Sequence, residues 1–199
     1  HNAMSSSEND WLAPNQTHAV PRQLADGVRG LMWDVYRENE QTLLCHSFCQ
    51  IGQQTLVDAL MEIKLFLDAS PRNVITIIFE SYVAHTELVS AFESAGLLEE
   101  VWSQPTDTQW PTLETMIAEK KRLVVLSDEK PTEPSGGIAY VWDLAWETHW
   151  NAEYKDDLTC DPNRGDSSHS LFIFNHFLTR PIAMMELAED VNVDPFFSN

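Results

Sequence analysis

Two of the seven histidines have informative neighbours: His1 leads into Asn2-Ala3-Met4-Ser5, and His46 lies within Leu43-Leu44-Cys45-His46-Ser47. A histidine pair near neutral pH suits reactions in which one group takes a proton from an attacking hydroxyl while another gives one to a leaving oxygen, as in phosphodiester cleavage. Such a reaction also needs the phosphate charge offset, by arginine, lysine or a metal. Asn2, Asp34 and Glu80 supply hard oxygen donors of the type calcium selects. Taken singly, each has a structural use, as a hydrogen-bonded core histidine or a polar cap on a strand end.

The elements that would hold these groups can be read from the apolar pattern. Asn73 to Phe79 is a nearly continuous β-branched and apolar run, as a strand buried on both faces requires, and Glu80 follows it directly. Gly30 to Trp33 ends at Asp34, Leu123 to Leu126 at Ser127 and Asp128, and Leu171 to Phe174 at Asn175 and His176, two residues that could line a pocket. Between them Leu56, Leu60, Ile63 and Leu67 recur at helical spacing, with Thr55 and Asp58 as a capping box. A second helix is predicted over about Glu87 to Ala95, capped by Thr86 and stopped by Gly96, and a third beginning after Pro111 and ending near Lys121. Alternating strands and helices predict an α/β fold with parallel strands and a site at their carboxyl ends. The segment 128–137 reads as a loop, and Trp142 to Ser170 as a long connection over the site mouth. Within it Trp142, Trp146 and Trp150 recur four apart, which suggests helical core packing or, alternatively, a lipid-facing rim.

Composition narrows the partners. With 31 acidic against 12 basic residues the formal charge is −19, so nucleic acid is an unsuitable ligand and an anionic membrane surface unattractive without divalent cations or apolar contacts. No run of 18 apolar residues marks a membrane span. Cys45 and Cys49 flank His46 and form either a disulfide or a reduced pair shaping that loop, since no fourth ligand for a zinc cluster stands nearby. Cys160 is left over, which predicts a partner outside the chain. The sequon at Asn15-Gln16-Thr17 adds a hint of a secreted or cell-surface setting.

His1 to Ser5, Asp26 to Tyr36, Leu44 to Ser47 and Val74 to Glu80 together resemble the X-domain of phosphatidylinositol-specific phospholipase C, in the flavour of phospholipase C-like phosphodiesterases. Further matches are Trp110 to Leu113, Lys121 to Val125, Gly137 to Tyr140 and Cys160 to Arg164, so the similarity runs through nearly the whole chain, 1–199. The resemblance implies a distorted (β/α)8 barrel. In it His1 is the general base, activating the inositol 2-hydroxyl to form a cyclic phosphodiester, and His46 the general acid, protonating the leaving diacylglycerol oxygen. It also implies calcium held by Asn2, Asp34 and Glu80, a phospholipid or inositol phosphodiester substrate, and peripheral membrane contact.

Two positions depart from that pattern. Met32 stands where the calcium-dependent branch has a glutamate, and thioether sulfur is a poor calcium ligand. Tyr36 stands where the metal-independent branch has its arginine. The lysines that hold extra inositol phosphates are absent around Ser127 and Asp128, which argues against polyphosphoinositides as substrates. Alternatives are a catalytically degenerate barrel serving as a binding module, and a glycerophosphodiester phosphodiesterase-like enzyme, although Met32-Trp33-Asp34 lacks that enzyme's Glu-x-Asp. A copper brace at a terminal histidine is a further option. At 199 residues, against about 250 for a (β/α)8 barrel, the chain is expected to form an incomplete barrel lacking its first and last strands.

Overall fold

The computed structural model describes residues 2–132 and 134–192. The chain opens with a short helix α1 (Val20–Ala25), carrying proline at its first turn, and then enters β1 (Gly30–Glu38). A tight turn through Asn39 and Glu40, both at positive φ, folds the chain back as β2 (Gln41–Cys45), and β3 (Gln53–Thr55) adds to the same edge. Helix α2 (Leu56–Ala69) follows, its first turn capped by Thr55, whose Oγ1 accepts the Asp58 amide at 3.1 Å. Then come β4 (Ile75–Ser81), α3 (His85–Ser94), α4 (Leu113–Ala118), β5 (Leu123–Ser127) and the short β6 (Ala139–Tyr140). These strands form one sheet in the order β3-β2-β1-β4-β5-β6, with β1, β4, β5 and β6 parallel.

The parallel strands and their helical crossovers match the sequence expectation, but the antiparallel β2–β3 edge departs from simple alternation, and no closed barrel forms among the described residues. A second, three-stranded sheet stands apart instead: β7 (Ala145–Thr148) between β8 (Pro162–Gly165) and β9 (Leu171–Ile173). A last helix α5 (Ala188–Val191) closes the described chain. Helix α3 starts two residues before the predicted Glu87, with Ala84 as its cap, because the Glu87 carboxylate reaches back to the Ala84 amide at 3.1 Å. The segment 142–170 is also not a plain connection. It supplies β7 and β8, and Trp142 and Trp146 lie in a 3-10 turn and a strand, so their four-residue spacing is not helical.

Alternation along the parallel strands decides what faces where. Leu31, Trp33 and Val35 of β1 and Ile75, Ile77 and Phe79 of β4 are buried against Leu60, Ile63 and Leu67 of α2 and Leu88 and Phe92 of α3. Phe79 makes edge contacts with Trp33 at 5.9 Å and Phe92 at 6.2 Å. The opposite face carries Ile78, Val124 and Leu126, which pack on Ala145 of β7 and on Leu171 and Ile173 of β9. At the carboxyl ends of the strands this second face turns polar, where Asp34 pairs in register with Glu80 and Asp128 lies one residue beyond β5.

Candidate functional site

The polar strand ends open into a cavity of about 420 Å³ lined by, among others, Met32, Asp34, Tyr36, His46, Glu80, Asp128, Glu147 and Arg164. The sheet register explains the grouping: Asp34 on β1 sits beside Glu80 on β4, and the Phe79–Ser127 pairing puts Asp128 next in the row. Three neighbouring parallel strands thus present three carboxylates toward one space.

Asn2 joins them through the N-terminal segment, which runs beside β1. The Ala3 amide donates to the Met32 carbonyl at 2.8 Å, and Gln16 Nε2 donates to the carbonyls of Asn2 at 2.9 Å and Ser5 at 2.5 Å. Asn2 adopts φ 45°, a left-handed conformation that asparagine tolerates. Its Nδ2 donates to Asp34 Oδ2 at 2.7 Å, while its buried Oδ1 has no hydrogen-bond partner. Of the predicted residues, then, Asn2, Asp34, Glu80 and His46 are brought together, and His1 lies outside the described residues.

Electrostatics mark this as a strained grouping. Burial, reinforced by the Glu80 charge, pushes the Asp34 carboxyl up to about 8. Burial also raises Asp128, although its Oδ1 accepts the Ser81 amide at 2.7 Å. The His46 imidazole is pushed below its ordinary value by burial, against the opposing attraction of Glu80. An unpartnered carboxamide oxygen beside two repelling carboxylates is a donor set that a hard cation would complete. It is not a full one: Met32 offers only sulfur, and among the described residues no three histidine, cysteine or acidic side chains group closely enough to hold a metal by themselves.

The wall around His46 is aromatic and cross-linked. Tyr36 and Tyr82 stack at 4.5 Å, and the Tyr82 hydroxyl donates to Glu80. Beneath them Cys45 and Cys49 form a disulfide with Cα atoms 4.9 Å apart, resolving the alternative that the sequence left open. The bridge ties the end of β2 to the turn that carries His46, Ser47 (φ 64°) and Phe48. A closed loop of five residues stabilises by roughly 2 kcal/mol through the unfolded chain. Cys45→Ser/Cys49→Ser is therefore expected to melt about 4–8 °C lower in a calorimetric scan. It should also lower any activity that depends on His46, because the histidine's turn loses its tether. An unchanged melting temperature would mean that other contacts, such as the Leu12 amide to the Ile51 carbonyl at 2.8 Å, hold the turn alone.

The second sheet supplies residues that the sequence reading did not assign. Glu147 on β7 is buried at 1% exposure. It accepts from Arg164 Nε at 2.5 Å, Asn175 Nδ2 at 3.1 Å and Asn163 Nδ2 at 3.3 Å. Asn175 lines the cavity as expected, whereas His176 turns away, its ring 5.2 Å from Phe174 and its Nε2 near the Val191 carbonyl. A four-residue strand is too short for its alternation to stand out from a Trp-rich segment, so the only sequence signal for Arg164 was its place in the matched Cys160 to Arg164 stretch. Asn15, the sequon asparagine, is half-buried and donates to the Ala183 carbonyl at 3.1 Å, so the folded chain does not present it as an open glycan acceptor.

Comparison with known proteins agrees with this architecture. The PI-PLC X 1 family model matches residues 2–196. A PI-PLC X domain-containing protein of Arabidopsis thaliana is 34% identical over 207 residues, covering 92% of this chain and 48% of that protein. An uncharacterized secreted protein of Arthroderma benhamiae is 27% identical, covering 87% of this chain and 42% of its own length. The chain thus spans about half the length of these relatives. Among solved structures, phosphatidylinositol-specific phospholipase C from Listeria monocytogenes superposes with a TM-score of 0.52 at 16% identity, covering 79% of this chain and 64% of that one, which is a likeness of fold. The family match and the 34% identity together place this chain in the PI-PLC X family.

Proposed function

We propose that the chain is the catalytic part of a phosphodiesterase of the phospholipase C type, cleaving an inositol phospholipid or related phosphodiester by attack of a neighbouring hydroxyl. The observation that carries this reading is the convergence of His46, Asp34 and Glu80 on one cavity at the carboxyl ends of parallel strands, with Asn2 hydrogen-bonded to Asp34. His46, held in its cross-linked turn, gives a proton to the leaving oxygen. Burial makes its imidazolium a stronger acid, and Glu80 keeps a share of it protonated. His1, immediately before Asn2, is the sequence's candidate for the base. Asn2, Asp34 and Glu80 would hold calcium, which when bound supplies positive charge against the phosphoryl oxygens and lowers the pKa of the attacking hydroxyl.

The test is release of cyclic inositol phosphate from phosphatidylinositol vesicles in calcium and in chelator. Product that rises with calcium supports the reading. Ligand binding without product in either condition supports a degenerate binding module, which Met32 and Tyr36 at the cavity wall favour.

The cavity mouth also suits a membrane surface, and a secreted or cell-surface setting accords with the secreted fungal relative. Tyr82, Trp150 and Ile182 line the cavity yet are 56%, 50% and 45% exposed, and Phe48, beside Ser47, is 67% exposed. With a charge of −19 the chain gains little from anionic headgroups, so this apolar rim must carry lipid contact. Phe48→Ser/Trp150→Ser is expected to cut activity on vesicles about thirtyfold or more, each buried ring being worth on the order of 1 kcal/mol or more, while leaving a short-chain monomeric substrate nearly unaffected. Equal losses on both would assign these residues to the headgroup pocket instead.

A further inference from the structure

Charge in the cavity is unbalanced. Asp34, Glu80, Asp128 and Glu147 line it, and among the described lining residues Arg164 is the only lysine or arginine. An anionic phosphodiester entering this space meets carboxylates on three strands, so its binding turns on that one guanidinium and on any cation the acids recruit.

Arg164 is built in from three sides. It sits directly opposite Glu147 in the β7–β8 ladder, and its Nε donates to Glu147 Oε1 at 2.5 Å, where the Glu147 side chain is only 2% exposed. The guanidinium carbon lies 4.5 Å from the centre of the Trp142 ring, a cation–π contact that fixes the plane of the group. Its backbone is fixed by the following residue: Gly165 has φ +79°, and a Cβ there would lie 2.1 Å from the Ala145 carbonyl oxygen. With Nε committed to Glu147, the Nη edge remains on a side chain that is still 45% exposed and lines the cavity. The guanidinium is also close enough to Asp128 for its charge to oppose the upward push that burial gives that carboxyl, which places it across from the strand-end row.

We propose that Arg164 contacts the phosphate of the substrate, offsetting its charge from the second sheet in a family member where Tyr36 occupies the arginine position of the metal-independent branch and Met32 a ligand position of the calcium-dependent one. Guanidinium matches phosphate oxygens two at a time, which an ammonium does not. The inference rests on the phosphodiesterase reading and adds a residue to it. It also restricts the substrate class: a single phosphodiester carried on an uncharged polyol fits one arginine among four carboxylates, and a polyphosphorylated headgroup does not.

The test separates binding from turnover by using the His46→Ala protein as host. Calorimetric titration with dibutyroyl phosphatidylinositol, a soluble diester, is compared in His46→Ala, His46→Ala/Arg164→Ala and His46→Ala/Arg164→Lys, with and without calcium. A charge-assisted contact of this type corresponds to a loss of about 10- to 100-fold in affinity on removal, and lysine should recover only part of it. Arg164→Ala also leaves the buried Glu147 carboxylate with only its asparagine donors, so melting temperatures are expected to fall by several degrees, less in Arg164→Lys, and the titrations are run well below the lowest of them. Long-chain phosphatidylinositol presented in vesicles should lose affinity by the same factor, because the contact is to the phosphate and not to the lipid surface. Unchanged affinity in the alanine variant overturns the proposal while leaving the phosphodiesterase reading intact. Absence of binding by the His46→Ala host, together with no cleavage by wild type, overturns both.

Discussion

His46→Ala is expected to lower cyclic inositol phosphate release by about 10²- to 10⁴-fold, the usual contribution of a positioned proton donor. The imidazole is half-buried in a disulfide-bounded turn and feels the Glu80 charge, so it is held at the cavity wall as a proton donor for a leaving alkoxide. A comparison of substrates separates chemistry from architecture. A nitrophenyl ester of inositol phosphate leaves without needing a proton, and on it the same substitution should cost far less. Equal losses on both substrates would mean that His46 only holds the turn in place. The pH profile follows from the direction of its shift. Because burial holds the pKa below the ordinary histidine value near 6.5, the required protonated form is lost on the acid side of neutrality, and kcat/KM should decline as pH rises through that lowered value. The alkaline limb should disappear in His46→Ala.

A second large effect is expected at Asp34. Its folded-state pKa is raised to about 8 by burial and by Glu80, so the native protein resists an ionisation that the unfolded chain completes near pH 4. The native state therefore holds the extra proton between those values, and stability falls as pH rises from about 4 to about 8 and is then flat. Asp34→Asn keeps the shape and the hydrogen bond to Asn2 while removing the titration. At pH 8 in chelator it should be more stable than wild type by roughly 2–4 kcal/mol, discounted from the full shift for residual solvent contact, or about 5–10 °C in melting temperature. Calcium should raise the wild-type melting temperature more at pH 8 than at pH 6, since binding must displace the Asp34 proton. The substitution should abolish that response together with calcium-stimulated activity. Lower stability of Asp34→Asn at pH 8 would show that the carboxylate is well solvated, and would remove the physical basis for a cation site there.

These two effects also show what could be read before any coordinates. The runs ending at Asp34, Glu80 and Asp128 each stop on an acid, and because parallel strands place their carboxyl ends on one side, that pattern was enough to expect a shared site. Helix α2 was legible because its cap and its apolar spacing agree with each other. Helix α3 was misplaced by two residues because Glu87 can cap from inside the helix, and Ala84 carries no side-chain signal. The β2–β3 edge and the β7–β8 ladder were not legible. Three- to five-residue strands contain too few alternations, and their pairing is decided by turns at Asn39-Glu40 and by partners distant in the chain.

By itself, the sequence determined the chemistry on offer and the strands that carry it: the two histidines, the oxygen donors, the acidic balance and the α/β frame, because each depends on residue identity and local periodicity. Tertiary structure alone decided the rest. It curled the segment 142–170 into strands of a second sheet across the site, buried Glu147 against Arg164, and left the Asn2 side-chain oxygen Oδ1 without a partner beside Asp34. Those outcomes follow from packing between elements 17 residues apart for Glu147 and Arg164 and 32 apart for Asn2 and Asp34, separations at which burial and proximity set charge balance and no local pattern records them.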